Sequence, residues 1–220
     1  MKNVSLILDV AHGCDVDGKQ SPCGRHKEWL WSRNMVREMM HTFNNILMPF
    51  AYHAPFLDYK EEPGFEARLV AYNEICKADD YTLMLSLHND AAHKSQCDTN
   101  GWCKSAKGIA FWTSRGETDA DNVASDLYNH FKIMMPREHY RTAYWLNKGE
   151  SEKDPDWEAN FNILAGYKGI KPNYEGVLME VGFQTNKADV KKLLNKEWNN
   201  SFRWTLINAL CNILIKKQRS

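Results

Sequence analysis

The sequence predicts an α/β fold: a single domain with one central sheet, mostly parallel or mixed, flanked by helices, and a functional site at the C-terminal edge of the strands. Three observations predict it. Short continuous apolar runs, at residues 3–10, 81–87 and 177–181, read as strands buried on both faces. Stretches with apolar residues every three or four positions separate them and read as amphipathic helices. Two of the runs lead into histidines, His12 and His88, and a third leads into a carboxylate, Glu180. In a parallel sheet such strand ends share one edge, which is where open α/β sheets place their sites.

The chain has 220 residues, enough for one domain over 1–220, and shows no internal repeat, low-complexity tract or composition break that would mark a second. Lys plus Arg and Asp plus Glu both number 28, so the net charge is zero. That argues against a polybasic nucleic-acid or anionic-lipid binder, although a local basic patch can sit inside a neutral total. Eight tryptophans and 12% aromatic residues are compatible with a groove for a sugar or a peptide. The N-terminal apolar run meets Asp9 too early to form a signal-peptide core. No stretch predicts a membrane span, since even Leu206 to Ile215 is broken by Asn208 and Asn212. These features predict synthesis in the cytoplasm without a signal peptide. Of the six cysteines none forms a C-x-x-C pair, which argues against a zinc ribbon or thioredoxin-type motif. Cys97 and Cys103 flank a polar loop and are candidates for a disulfide after release, a pairing that spacing leaves open.

In chain order, the first strand ends at Ala11-His12-Gly13-Cys14. A polar loop with Gly18, Pro22 and Gly24 leads to a helix from about 26–28, with Val36, Met39, Met40, Phe43, Ile46 and Leu47 as its apolar stripe and Pro49 as its stop. Glu28 lies in the first turn, where the helix dipole favours a carboxylate in any case. Residues 50–54 predict a short strand. A second helix over about 64–77 has Phe65, Leu69, Tyr72 and Cys76 as its buried stripe, with Arg68 and Asn73 polar within it. The strand at 81–87 ends at His88, and a polar loop runs from 90 to 107. Another strand follows at 108–113, then a helix over 118–134 with Val123, Leu127 and Phe131 inward. Residues 137–175 are the least regular, with a short strand near Ala143 to Leu146 and a charged loop from Asn147 to Trp157. After the Glu180 strand, helices over about 187–194 and 200–217 finish the chain.

Glu180 is the residue that most needs an explanation, because a carboxylate inside an apolar run is costly unless it is paired, protonated or near a metal. A salt-bridged or solvated strand-end glutamate is the plain alternative. Taken with His12, Glu28 and His88, it completes a set that chemistry can use. Two imidazoles and one carboxylate make a three-ligand zinc set with a fourth position open for water. A separate carboxylate beside that water is the usual general base. Long-range ligand spacing alone has low specificity.

The same residues resemble the zinc-dependent N-acetylmuramoyl-L-alanine amidases of the Amidase_3 type. The segment Ile7-Leu8-Asp9-Val10-Ala11-His12-Gly13 resembles the family's opening Leu-Asp-Pro-Gly-His-Gly, in which the histidine is a ligand. Glu28-Trp29-Leu30-Trp31-Ser32-Arg33-Asn34 matches the ligand glutamate at the start of the first helix, and Arg68 and Asn73 match an arginine and asparagine five apart. Ser86-Leu87-His88-Asn89 is similar to the Ser-Ile-His segment of the third ligand, and Leu178 to Asn186 is similar to the catalytic-glutamate segment. The resemblance spans nearly the whole chain, in family order.

It implies one zinc ion held by His12, Glu28 and His88, and Glu180 as catalytic base. The implied reaction is hydrolysis of the amide between N-acetylmuramic acid and L-alanine, with the muramyl peptide of peptidoglycan as partner. It implies no nucleic acid, no membrane insertion and no separate wall-binding domain, and a monomer is expected. A bare amidase domain made in the cytoplasm resembles a phage or prophage endolysin that reaches the wall through a holin-type pore. Arg141 is a candidate for binding stem-peptide carboxylates, or a plain surface arginine. Departures from the family are Val10, Ala11, Cys14 and Asn89-Asp90. Cys14, His26 and His93 are the rival ligands. The alternative functions are a zinc peptidase acting within the stem peptide and a non-catalytic peptidoglycan-binding module.

Overall fold

The computed structural model describes residues 1–46, 48–142 and 155–220. All seven residues of β1 (Val4–Val10) are buried, which a strand achieves only when both faces of its sheet are covered. β3 (Tyr81–Asp90) and β6 (Glu175–Phe183) lie beside it and are almost as fully buried. With β2 (Ala51–His53), β4 (Ile109–Thr113) and β5 (Trp157–Glu158) they make one six-stranded sheet in the order β2-β1-β3-β6-β4-β5. The pairs β1–β2, β1–β3, β3–β6 and β4–β5 are parallel, while β4 runs antiparallel to β6. The sheet is therefore mixed, with its four-strand half β2-β1-β3-β6 wholly parallel.

Helices α1 (Glu28–Asn45), α3 (Asp119–Met134) and α6 (Lys196–Arg219) form one layer, with α6 against β1 and β3 and in contact with both other helices. The expected inward residues Val123, Leu127 and Phe131 of α3 are at most 1% exposed, each burial stabilising by about 1.5–3 kcal/mol. The Asp121 carboxylate accepts the Thr118 backbone N–H at 2.8 Å and so closes the start of α3. α2 (Phe65–Cys76) packs with the short α4 (Asn162–Ala165), and α4 rests on β6. α5 (Lys187–Leu193) follows β6 directly, its first N–H groups taken by the Asn186 side chain at 2.9 and 3.2 Å.

Several expectations need correction. α1 stops at Asn45, so Ile46 is 44% exposed rather than part of the buried stripe, and Leu47 lies outside the described residues. On α2 Phe65 is 42% exposed, whereas Arg68 is only 3% exposed, so the buried face of this helix carries a charge. The strand expected near Ala143 to Leu146, and the loop as far as residue 154, lie outside the described residues. Trp157, expected in that loop, belongs to β5, whose edge it joins by packing on Trp112 with ring centroids 5.5 Å apart. All six cysteines are free thiols in this structure, Cys97 and Cys103 among them. No helix among the described residues is long and apolar enough to cross a membrane.

Candidate metal centre

Four parts of the chain meet at the C-terminal ends of β1, β3 and β6. β1 passes through Val10 into a turn at His12, whose backbone is left-handed at φ 43°. Such a φ is uncommon for a residue other than glycine and marks a turn held by its surroundings. Gly13 follows, and a Cβ there would stand 2.1 Å from the Glu62 backbone nitrogen, so the turn and the chain at Glu62 are in backbone contact. Glu28, the first residue of α1, is 1% exposed and turns its carboxylate inward.

The register of the two central strands places His88 directly beside Glu180, on the same face of the sheet. Just beyond this pair the register shifts, a bulge that accompanies Gly182 at φ 74°. A Cβ on Gly182 would meet the Asp189 Cβ at 3.1 Å, so glycine is required on both counts. The Asp189 carboxylate accepts the N–H groups of Gly108 and Phe183 at 2.8 and 2.9 Å and so ties α5 to both strands.

Donor atoms of His12, Glu28 and His88 all lie within 4.8 Å of one another, the one such group of histidine, cysteine and carboxylate side chains found among the described residues. Glu28 Oε1 is 3.0 Å from His88 Nδ1 and 3.5 Å from His12 Nε2, and it accepts the Asn89 backbone N–H at 3.0 Å. The two imidazoles meet edge to face, centroids 4.9 Å apart. Burial opposes the charge on Glu28, but the hydrogen bond and charge of His88, the charge of His12 and the Asn89 N–H outweigh it and hold the carboxyl below its ordinary range. Burial, then the neighbouring His88, lowers His12 to about 4, against the pull of Glu28. His12 is thus a neutral imidazole with a lone pair to give at pH 7.

These residues fit a zinc ion. Two nitrogens and one carboxylate are a donor set zinc takes, with a position left for water. The second oxygen of Glu28 is buried and has no hydrogen-bond partner, which is expensive for a carboxylate unless a cation is there to take it up.

Glu180 stands beside this group as a different kind of carboxylate. Its Oε2 is buried without a hydrogen-bond partner, although the residue as a whole is only half-buried. Burial first, then repulsion from Asp90 and Glu28, pushes its carboxyl well above the usual range, against the opposing charges of Arg141 and Lys19. Arg141 is not loose on the surface, although its Nε has no hydrogen-bond partner. Its Nη2 is 2.9 Å from Asp90 Oδ2 and its guanidinium lies 4.5 Å from the centre of the Phe183 ring.

Two of the three rival ligands, His26 and His93, have other partners. His26 is 2% exposed, with Nε2 2.8 Å from Asn89 Oδ1, and burial lowers its pKa against the effect of that bond. Asn89 in turn donates to Val181 O at 2.7 Å, so the His26–Asn89 pair holds the backbone whose N–H reaches Glu28. His93 caps a short 3-10 turn through Ser95, and Cys14 is exposed. Sequence reasoning missed the buried cluster behind the site. There Asp9 accepts from Arg68, Tyr72 and Ser86, while Arg68 reaches on to Glu62. The available signals were an aspartate inside a largely apolar strand and an arginine within the stripe of the second helix.

Comparison with known proteins bears on the family and the fold. A family model described as N-acetylmuramoyl-L-alanine amidase matches residues 6–212. An N-acetylmuramoyl-L-alanine amidase from Clostridium difficile 630 has a similar structure, with a TM-score of 0.74 at 17% identity over 99% of this chain and 100% of that one. For the amidase AmiC2 of Nostoc punctiforme the values are 0.71 and 14%, over 96% and 97%. For the catalytic domain of CwlV from Bacillus (Paenibacillus) polymyxa they are 0.69 and 13%, over 96% and 97%. At such identities the likeness speaks for the fold. Among curated proteins, none matches the sequence. Since the family model spans nearly the whole chain, the protein belongs to the N-acetylmuramoyl-L-alanine amidase family.

Proposed function

We propose that the chain hydrolyses the amide between N-acetylmuramic acid and the L-alanine of the peptidoglycan stem, with one zinc ion held by His12, Glu28 and His88 and with Glu180 as general base. The observation that supports this best is geometric: the donor atoms of His12, Glu28 and His88 lie within 4.8 Å of one another with Glu180 beside His88 across the strand pair, and the surroundings hold the Glu28 carboxyl below its ordinary range and push that of Glu180 above it. Two titratable groups pushed apart by their surroundings are how one site divides binding from proton transfer.

When bound, zinc would polarise the scissile carbonyl and lower the pKa of a bound water toward neutrality. The work of the chain is to arrange what surrounds that chemistry. Glu28 is locked by His88 and the Asn89 N–H, so its free oxygen points one way only. His12, neutral, keeps its lone pair. Glu180 accepts the proton of the attacking water on its carboxylate and returns it to the leaving amine nitrogen, and its raised basicity favours taking up that proton. Partial exposure of His12, His88 and Glu180 leaves the substrate a way in, while Glu28 stays covered. The loss of a ligand or of the glutamate would have favoured a wall-binding module; here three side chains group and Glu180 lies beside His88 across the strand pair.

The test is mass spectrometry of purified peptidoglycan digested with zinc-loaded and chelator-treated protein. Free stem peptides beginning at L-alanine, together with peptide-free glycan and only with metal, are expected. Fragments cut within the stem would move the activity to a peptidase. A lytic role of the phage or prophage endolysin kind goes with the same proposal. It predicts that cytoplasmic expression lyses a bacterial host only when a holin-type pore is co-expressed.

A further inference from the structure

We infer that Glu62, on the loop between β2 and α2, is a positioning residue of the metal centre: it faces Nδ1 of His12, keeps the proton on that nitrogen, and leaves Nε2 as the lone pair turned toward Glu28 and His88. The inference rests on the reading of His12, Glu28 and His88 as metal ligands. Glu62 is neither a ligand nor a catalytic residue in it.

The two nitrogens of the His12 ring face different carboxylates. Nε2 lies 3.5 Å from Glu28 Oε1, inside the ligand group, and Nδ1 lies 3.8 Å from Glu62 Oε2. A neutral imidazole has one N–H and one lone pair, and the partner of one nitrogen decides which the other carries. A carboxylate, which only accepts, favours the proton on the side it faces; Glu28 competes for it at Nε2 until a cation takes up the Glu28 charge, and from then on Glu62 alone draws it. The gap of 3.8 Å is longer than a hydrogen bond, and a ring movement of about 1 Å closes it.

Glu62 is held without help from His12. Its backbone N–H donates to Asp15 Oδ1 at 2.8 Å, and Lys60 O accepts the Cys14 N–H at 2.7 Å, so this loop is fastened along the His12 turn. Its Oε1 accepts from Arg68 Nε at 3.2 Å and from Arg68 Nη2 at 2.9 Å. Arg68 is itself buried and anchored to Asp9 and to Val10 O. The arginine thus occupies one oxygen of Glu62 and leaves the other for the ring. A line of contacts runs from the core of β1 through Asp9, Arg68 and Glu62 to the far side of His12. Oriented carboxylates of this sort, placed behind a ligand histidine, typically contribute 10–100-fold in metal affinity. Glu61, one residue earlier, is exposed and makes no such contact.

The discriminating variant is Glu62→Gln. Its carbonyl can still accept from Arg68, but its NH2 group then faces Nδ1 and favours the opposite tautomer. Glu61→Gln changes charge identically and serves as control. Two measurements are made: zinc affinity by chelator competition, and the 1H and 15N shifts of the His12 Nδ1–H in zinc-loaded protein. The expected result is a 10–100-fold loss of zinc affinity in Glu62→Gln, an upfield move of the Nδ1–H proton as its carboxylate partner is lost, and neither change in Glu61→Gln. Zinc affinity within twofold of the parent overturns the inference, and so does a fall in affinity with the Nδ1–H shift unchanged. If the parent protein binds no zinc, the metal reading fails, and Glu62 then has no ligand to position.

Discussion

Replacing Arg68 by methionine isolates the energetics behind the site. Arg68 is 3% exposed and donates to Asp9, to Val10 O and twice to Glu62. Burial works against its charge, yet Asp9, Tyr72 and Glu62 hold its proton more firmly than usual. Its removal affects the two carboxylates unequally. Glu62 is 24% exposed and recovers much of its loss from water, so its share is small. Asp9 is 2% exposed and would keep only the hydroxyls of Tyr72 and Ser86, an anion in the core without a countercharge. Breaking a buried pair in this way costs about 3–5 kcal/mol, a large part of a typical total stability of about 5–15 kcal/mol. For a chain of this size that corresponds to a fall in Tm of roughly 6–20 °C. Asp9→Asn should cost less than Arg68→Met, since Arg68 keeps Glu62 and the Val10 carbonyl. The double variant should be more stable than Arg68→Met alone, because no unpaired charge remains. Urea unfolding of the metal-free forms measures all three without contributions from ligand binding. A cost below about 1 kcal/mol for Arg68→Met, or no recovery in the double variant, would refute the view that Asp9 depends on this arginine.

Three further outcomes are expected. Glu180→Gln should bind zinc with the parent's stoichiometry while kcat for release of stem peptides falls about 10²–10⁴-fold; undiminished turnover removes Glu180 from proton transfer. In metal-free protein His12 titrates at about 4 against an ordinary 6.5. Between those values the unfolded chain binds more protons, so stability is complete above 6.5, declines as pH falls through this window and levels off below 4, by at most about 3 kcal/mol. His12→Asn should flatten that part of a stability–pH profile, and an unchanged slope would assign it to other groups. Gly182→Ala meets both a left-handed backbone and the Asp189 Cβ at 3.1 Å, and should cost about 1–3 kcal/mol in chemical denaturation.

Much of this fold was legible because buried parallel strands leave an unambiguous trace. β1, β3 and β6 each hold an apolar core (Leu6 to Leu8, Leu83 to Leu85, Val177 to Met179), and residues just past or near their ends, His12, His88 and Glu180, come to one edge as the strand-edge rule requires. Glu28 could be placed because it opens a helix with a clear apolar stripe. What stayed hidden has a physical reason in each case. A five-residue apolar run such as β4 reads alike in either direction, so its antiparallel pairing with β6 is decided by connections and not by its residues. The two-residue β5 and the single turn of α4 are shorter than the periods that reveal strands and helices. On α2 the stripe expectation placed Phe65 inside, but the helix uses that face to bring Arg68 to Asp9, and Phe65 is left 42% exposed.

The metal centre divides along the same line. Its proposed ligands announce themselves by residue type, while the residues that orient them do not. Glu61 and Glu62 are neighbours of one kind, both ahead of Pro63, and no property of the sequence separates them. Only the fold does so, by bringing Arg68 against one of them and leaving the other in water. Asp9 belongs to the same class, since its place in an apolar strand demands partners without saying which. Arg68, which the resemblance singled out without a role, gains one here: it satisfies the buried Asp9 and fixes Glu62 behind His12. The stability of the core and the orientation of a proposed ligand therefore depend on one guanidinium, and the variants of Arg68 and Glu62 separate the two effects. Arg68→Met should lower both stability and zinc affinity, whereas Glu62→Gln should lower zinc affinity and leave the unfolding midpoint of the metal-free protein nearly unchanged.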